Sequence, residues 1–263
     1  MTGSLTIVGL GPGTPDWITP AAQAALDAAT DIVGYGPYVD RVPDRTGLTK
    51  HASDNRVEVE RAAHALRLAA GGRKVAVVSG GDPGVFAMAA AVFEALEAGE
   101  PGWRAIQITV EPGITAMLAA AARAGAPLGG DFCAISLSDN LKPWEVVTAR
   151  LAAALAADFV ICLYNPISKA RPWQLGRTLE LASQHREANT PMLFARAIGR
   201  PDENLRILTL AEAVAAASSA DMATLVIIGA SSTRLIAREG AAPYVYTPRS
   251  VTKSPCATSQ GRT

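Results

Sequence analysis

The residues best placed to do chemistry sit where apolar runs stop. Gly9-Leu10-Gly11-Pro12-Gly13 follows Leu5-Thr6-Ile7-Val8, and Gly80-Gly81-Asp82-Pro83-Gly84 follows Val75-Ala76-Val77-Val78. A third set, Glu111-Pro112-Gly113-Ile114-Thr115-Ala116, follows the alternating Ile106, Ile108 and Val110. Ligands enter a parallel α/β sheet at the carboxyl ends of its strands, and glycine there admits a close backbone approach or a positive φ. The first loop matches half of the dinucleotide fingerprint GxGxxG and then departs from it. Pro12 removes an N–H that a pyrophosphate would use, Thr14 stands at the third glycine's place, and Pro15-Asp16 delay the helix. The second loop lacks the Gly-Lys-Ser/Thr of a phosphate-binding loop. Taken singly, Asp82-Pro83-Gly84 is a turn and Thr115 a helix cap. Taken together, the loops describe a ligand crevice made mainly of backbone.

Other candidates follow later apolar runs. Ser136-Leu137-Ser138-Asp139-Asn140 precedes Pro143-Trp144, and Tyr164-Asn165-Pro166 ends another run. His51, near Ser53 and Asp54, is a weak site candidate; His64 and His185 read as hydrogen-bonded or solvated helix residues. The histidines form no metal-ligand spacing. Gly-x-Ser-x-Gly is absent, which disfavours a hydrolase of that kind. Cys133, Cys162 and Cys256 stand far apart with no CxxC pair, so neither a zinc site nor a disulfide framework is indicated. The first two read as small core residues.

The elements that position these groups alternate between short β-rich runs and alanine-rich helices, the βαβ signature of a parallel sheet. Strands are expected over 5–8, 31–34, 74–79, 106–110, 133–137, 159–164, 192–197 and 224–229, with a candidate edge strand over 206–209. Helices are expected over 20–29, 55–70, 85–98, 116–124, 143–157, 173–185 and 210–218. Thr19 caps the first helix with Pro20 at its first position, and Gly71-Gly72 closes the second. The expected organisation is an α/β domain over 1–124, a linker over 125–130, a second α/β domain over 131–248 and a loose tail over 249–263. With 263 residues, 49% hydrophobic, the chain can bury a sizeable core. Its 24 basic and 24 acidic residues give no net charge, which argues against nucleic acid as the main partner. No apolar stretch approaches the ~20 residues of a membrane span, and the first residues lack signal-peptide character. A soluble cytoplasmic protein is expected.

As a set, the loops resemble the tetrapyrrole methylases, which use S-adenosylmethionine on two α/β domains with the active-site cleft between them. Gly9-Leu10-Gly11-Pro12-Gly13-Thr14-Pro15-Asp16 with Thr19-Pro20-x-Ala22 is similar to the family's opening signature. Ser79-Gly80-Gly81-Asp82-Pro83-Gly84-Val85-Phe86 is similar to its central GDP motif, and Glu111–Ala116 to its third. Further support comes from Ile32-Val33-Gly34-Tyr35, Ile135-Ser136-Leu137-Ser138-Asp139, Tyr164-Asn165-Pro166 with Arg171 and Trp173-Gln174, and Thr224–Gly229. Two departures are Ala87, where relatives often carry glycine, and Ala197, where they usually carry asparagine. The resemblance spans residues 4 to 248. It implies cofactor contacts at Pro12, Gly80, Gly81, Asp82, Val85, Thr115, Ala116 and Leu163, with Ala197 or Ile198 and Thr224 as further matches.

The implied substrate is a carboxylate-rich tetrapyrrole, and the implied assembly a homodimer. Tyr35, His51, Ser138, Asp139, Asn165 and Arg196 are candidates for the substrate side. Arg41, Arg171, Arg196 and Arg200 are candidates for pairing its carboxylates. Methyl transfer needs alignment more than acid–base chemistry, and positioning alone can supply ~7–11 kcal/mol. The implied reaction methylates a corrinoid precursor and contracts its ring, which requires a proton to leave an oxygen substituent. His51, Asp54, Asp139 and Tyr164 are unranked candidates to take it, and no catalytic residue or metal ligand is assigned. Two alternatives stay open: a cobalt-loaded rather than metal-free substrate, and an α/β protein that binds a nucleotide or tetrapyrrole without chemistry.

Overall fold

The structure is a computed structural model that describes residues 3–54 and 57–250. The described residues form two compact units: those up to Ala119 together with Ala197–Glu203, and Ala120–Arg196 together with those from Asn204 to 250.

In the first unit, β1 (Ser4–Gly9), β2 (Asp31–Tyr35), β3 (Thr49–Ser53), β4 (Lys74–Ser79) and β5 (Gln107–Glu111) form one sheet in the order β3-β2-β4-β1-β5. Every pairing is parallel. The helices are α1 (Pro20–Ala28), the single-turn α2 (Gly36–Val39), α3 (Glu58–Ala70), α4 (Met88–Ala98) and α5 (Ala116–Ala124), whose later turns belong to the second unit. Successive strand residues face opposite ways. Leu5, Ile7, Val33, Val75 and Val77 therefore pack with α3 and α4, while Val8, Leu10, Ile32, Ala76 and Val78 pack with α1 and α2. Burial on both faces explains why β1, β2 and β4 read as nearly continuous apolar runs. Thr19 Oγ1 accepts from Ala22 N at 3.1 Å at the head of α1, as the sequence predicts.

Several expectations need revision here. His51, outside every strand expected from the sequence, lies in β3, an edge strand that is half exposed and so carries no apolar run. Helix α4 starts at Met88 rather than 85, because Phe86 takes φ 51° and Ala87 is extended, which holds the GDP segment open as a loop. The start expected for α3, Asn55-Arg56, lies outside the described residues.

The second unit contains β6 (Gly125–Ala126), β7 (Phe132–Ser136), α6 (Trp144–Ala156), β8 (Val160–Tyr164), α7 (Gln174–Ala182), β9 (Pro191–Arg196), β10 (Asn204–Thr209), α8 (Leu210–Ala216), β11 (Thr224–Ile228), β12 (Arg234–Arg238) and β13 (Ala241–Tyr246). Its main sheet runs β10-β9-β11-β8-β7. The sequence pattern predicts a parallel sheet, but only β7 and β8 pair that way. Strand β11 is antiparallel to both neighbours, and β10 is an antiparallel edge strand on β9. A short connection joins β9 to β10, and such a connection turns the chain back on itself. The core joins Leu151 and Leu155 of α6 and Leu175 and Leu179 of α7 to Ile161, Leu163, Phe194 and Val226 of the sheet. Thr209 and Glu212 form a reciprocal capping box on α8.

A three-stranded sheet, β12-β13-β6, draws one strand from residues 125–130, which the sequence marks as a linker. Strand β12 is exposed along its whole length, so no periodicity announces it. Cys162 is buried, its thiol pushed up to about 12 by burial and then by Cys133, in keeping with a core role. Cys256 and most of the expected tail lie outside the described residues. Among the described residues no helix is long and apolar enough to cross a membrane.

Candidate functional site

Because the first sheet is wholly parallel, Gly9, Tyr35, Ser53, Ser79 and Glu111 all end their strands along one edge. The three glycine loops leave from that edge and are bonded to one another. Gly11 N donates to Gly81 O at 3.1 Å and Gly81 N to Gly11 O at 3.0 Å. Both glycines need the left-handed region, with φ of 64° and 68°. The third loop closes on the other two: a Cβ at Gly9 would lie 2.7 Å from Gly113 N, and one at Gly113 would overlap Gly81 O. Asp82 braces the second and third loops, its carboxylate accepting from Gly84 N at 2.7 Å and Gly113 N at 3.0 Å. Thr115 is buried and directly precedes α5, and Val85 and Ala116 are half-buried.

Two arginines reach the first loop. Arg41, read from the sequence as a partner for substrate carboxylates, donates instead to the carbonyls of Leu10 (2.5 Å), Gly11 (3.0 Å) and Gly13 (3.0 Å). Burial, and then the charge of Arg200, lower its pKa from the ordinary arginine value. Arg200 Nε donates to Pro12 O at 3.3 Å. It comes from a turn in which Ala197 and Gly199 both have positive φ, 51° and 83°. That turn packs so closely on Gly13 that a Cβ there would overlap Gly199. The first unit thus brings together Pro12, Gly80, Gly81, Asp82, Val85, Thr115 and Ala116, and holds Ala197 and Ile198 on the packed turn.

Tyr35 ends β2 and meets Tyr38 edge to face at 5.5 Å; a Cβ at Gly80 would fall 2.7 Å from the Tyr38 ring. His51 belongs to a separate cluster beneath α3. Its Nε2 lies 3.0 Å from Asp31 Oδ1, and its Nδ1 3.1 Å from His64 Nε2. Asp31 also accepts from Arg73 Nε at 2.6 Å and Thr30 Oγ1 at 2.7 Å. Burial would raise the Asp31 carboxyl, but Arg73, His51 and Thr30 hold it below the usual range. His64 is pushed down by burial and by the nearby His51 and Arg67. With Ser53, Glu60 and Arg61 these histidines line a cavity of about 390 Å³. Arg61 donates to Ser53 Oγ at 2.8 Å and to the Asp54 carbonyl. His64 is a hydrogen-bonded helix residue, as the sequence suggests, whereas Asp31 is not among the sequence candidates; an acid at the head of a buried strand is the signal that points to it.

In the second sheet, β7, β8 and β9 end, and β10 and β11 begin, at a common edge carrying Ser136, Tyr164, Arg196, Asn204 and Thr224. Here the side chains mostly bond one another. Ser136 Oγ accepts from Asn165 Nδ2 at 3.0 Å and from Ser138 N at 3.3 Å, with Asn165 at φ 51°. Asp139 accepts from Arg171 at 3.0 Å. Burial opposes the ionised form of Asp139, but hydrogen bonds from Arg171, its own backbone and Gln174, with the Arg171 charge, together hold the carboxyl low. Arg196 Nε donates to Asp221 at 2.8 Å, and the Thr224 hydroxyl donates to the same carboxylate at 2.7 Å. The Leu163 side chain is fully buried in the core of this unit. The second edge therefore gathers Ser138, Asp139, Asn165, Arg196 and Thr224 in two ion-paired groups.

The pattern of the Tetrapyrrole (Corrin/Porphyrin) Methylases matches residues 4–214. A precorrin-3B C(17)-methyltransferase from a Sinorhizobium species is 57% identical over 249 residues, which cover 95% of this chain and 97% of that protein. The crystal structure of the methyltransferase CobJ matches with a TM-score of 0.88 at 55% identity, over 94% of this chain and 100% of that one. The uroporphyrin-III C-methyltransferase of Thermus thermophilus, solved with S-adenyl homocysteine, shares the fold with a TM-score of 0.66 at 24% identity, over 86% of this chain and 92% of that one. With glycine loops bonded along one sheet edge and a family match over most of its length, the chain belongs to the tetrapyrrole methylases.

Proposed function

We propose that this protein is an S-adenosylmethionine-dependent C-methyltransferase of cobalamin biosynthesis. In this reading it methylates C17 of precorrin-3B as the tetrapyrrole ring contracts, and it works as a cytoplasmic homodimer. The observation that carries the reading is the 57% identity, over nearly both full lengths, to a precorrin-3B C(17)-methyltransferase. The homodimer is carried over from the family resemblance.

The loop chemistry fits the cofactor. Its methionine end bears an ammonium and a carboxylate, so it needs acceptors and donors at short range. The first edge offers backbone carbonyls and amides around 80–85 and 112–116, the Thr115 hydroxyl, and half-buried Val85 for an apolar contact. Its carboxylate, Asp82, is already committed to Gly84 and Gly113 and keeps the loops in register. When bound, the cofactor supplies the methyl group. The residues in this reading are Pro12, Gly80, Gly81, Asp82, Val85, Thr115 and Ala116, joined by Leu163, Ala197, Ile198 and Thr224. Tyr35, His51, Ser138, Asp139, Asn165 and Arg196 are proposed for the tetrapyrrole, and the domain division at residues 125–130 is part of the same reading.

Incubating the protein with methyl-labelled S-adenosylmethionine and precorrin-3B tests this. Label in a ring-contracted product is expected. Transfer only to the cobalt-loaded analogue would replace the substrate assignment. Tight cofactor binding with no transfer to either would replace the enzyme by a binding protein.

A further inference from the structure

Three backbone carbonyls of the first glycine loop point at one side chain. Arg41, just after α2, donates from Nη1 to Gly11 O at 3.0 Å and from Nη2 to Leu10 O at 2.5 Å and Gly13 O at 3.0 Å. No acid of the described residues lies within ion-pair distance of it, so its bonding is to this loop. The loop packs closely on its neighbours, and Arg200 holds one further carbonyl, that of Pro12, but Arg41 alone ties three of them together. Gly11 has φ 64°, and its contact with the second loop is the isolated two-bond bridge to Gly81. The third loop then rests on that bridge, since Gly113 abuts Gly9 and Gly81.

We infer that Arg41 is a positioning residue for cofactor binding. Its planar fork fixes the carbonyls of Leu10, Gly11 and Gly13 and so presets the Gly11–Gly81 bridge on which the third loop rests. A guanidinium suits this task because its donors are rigid and coplanar, whereas an ammonium is a point charge on a flexible stem. A loop prepared before binding spares the ligand the ordering cost. The inference rests on the proposed reading that this edge holds S-adenosylmethionine.

The test is titration calorimetry with S-adenosylhomocysteine, paired with amide hydrogen exchange. Arg41→Ala should weaken binding about tenfold to a hundredfold and raise KM for S-adenosylmethionine far more than it lowers kcat. Added methylguanidinium should restore part of the affinity, and Arg41→Lys should sit between the two. Arg177→Ala, which removes an exposed guanidinium paired with Glu180 on α7, should bind as the wild type does. Affinity of Arg41→Ala within twofold of wild type would overturn the inference. If the wild type itself fails to bind S-adenosylhomocysteine, the cofactor reading fails, and exchange still decides the role of Arg41. The Gly11 amide should exchange about tenfold faster in Arg41→Ala while the Val77 amide in β4 is unchanged; equal rates at Gly11 would sink the inference. Should the alanine variant fail to fold, Arg41→Lys carries the same pair of measurements.

Discussion

The first sheet runs all its strands one way, whereas the second turns β10 and β11 against the rest. In the first unit every strand therefore delivers its following loop to the same edge, and three glycine-rich loops meet there backbone to backbone. In the second unit the shared edge mixes strand ends with strand beginnings. Acids there find arginines from neighbouring segments, as Asp139 does with Arg171 and Asp221 with Arg196. One edge is thus held together through loop backbone, and the other through polar side chains.

The sharpest way to break this contrast is to add one methyl group to the first edge. Gly113→Ala would drive a Cβ into Gly81 O, and because two backbone segments must separate, cofactor affinity should fall about tenfold to a hundredfold. Calorimetry with S-adenosylhomocysteine reads this directly, and unchanged affinity would remove the loops from the site. Next in size is Leu163→Ala in the second unit. Its side chain is wholly core, so the cost should appear as about 2–5 kcal/mol of stability in denaturant titration. A variant that stays stable yet loses cofactor affinity would move the Leu163 side chain from the core to the ligand.

A smaller effect separates the His51–His64 cluster from the cradle. The folded pKa of His64 lies below its ordinary value, so the unfolded chain binds the proton more readily. Its stabilising contribution is present above about pH 6.5 and is lost as pH falls from there through the folded value. The denaturation midpoint should drop between about pH 7 and 5, and His64→Gln should flatten that part of the curve. An identical slope in the variant would reject the assignment. The Asp31 carboxyl works at lower pH: its folded value is depressed, so its contribution fades only below about pH 4. The smallest effect expected is a gain. Gly176 in α7 has no atom within 4 Å of the place an alanine methyl would occupy, so Gly176→Ala should stabilise the second unit by up to ~1 kcal/mol. Loss of methyl transfer in that variant would place α7 in the reaction.

What could be read in the sequence follows the same division. Strands buried on both faces, such as Lys74–Ser79, and helices opened by a cap, such as Pro20–Ala28, declare themselves through local pattern. Strand direction does not. The run that becomes β11 looks like those that become β1 and β4, and pairing rather than composition reverses it. The exposed strand β12 has the apolar run Leu235-Ile236-Ala237 but no alternation to mark it as a strand, and edge strand β3 carries little hydrophobic signal. The glycine loops were legible because a required positive φ or a close backbone approach dictates residue type. The roles of the arginines were not legible: Arg41 could have met a substrate or a carbonyl, and only the fold brings it to Leu10, Gly11 and Gly13.

The claim that the first edge is the cofactor cradle is tested most directly by amide chemical-shift mapping of the isotopically labelled protein as S-adenosylhomocysteine is added. The account predicts the largest shifts at Gly11, Gly13, Gly80–Val85 (apart from Pro83, which has no amide proton) and Gly113–Ala116. Saturable binding that leaves all of these amides unmoved would contradict it.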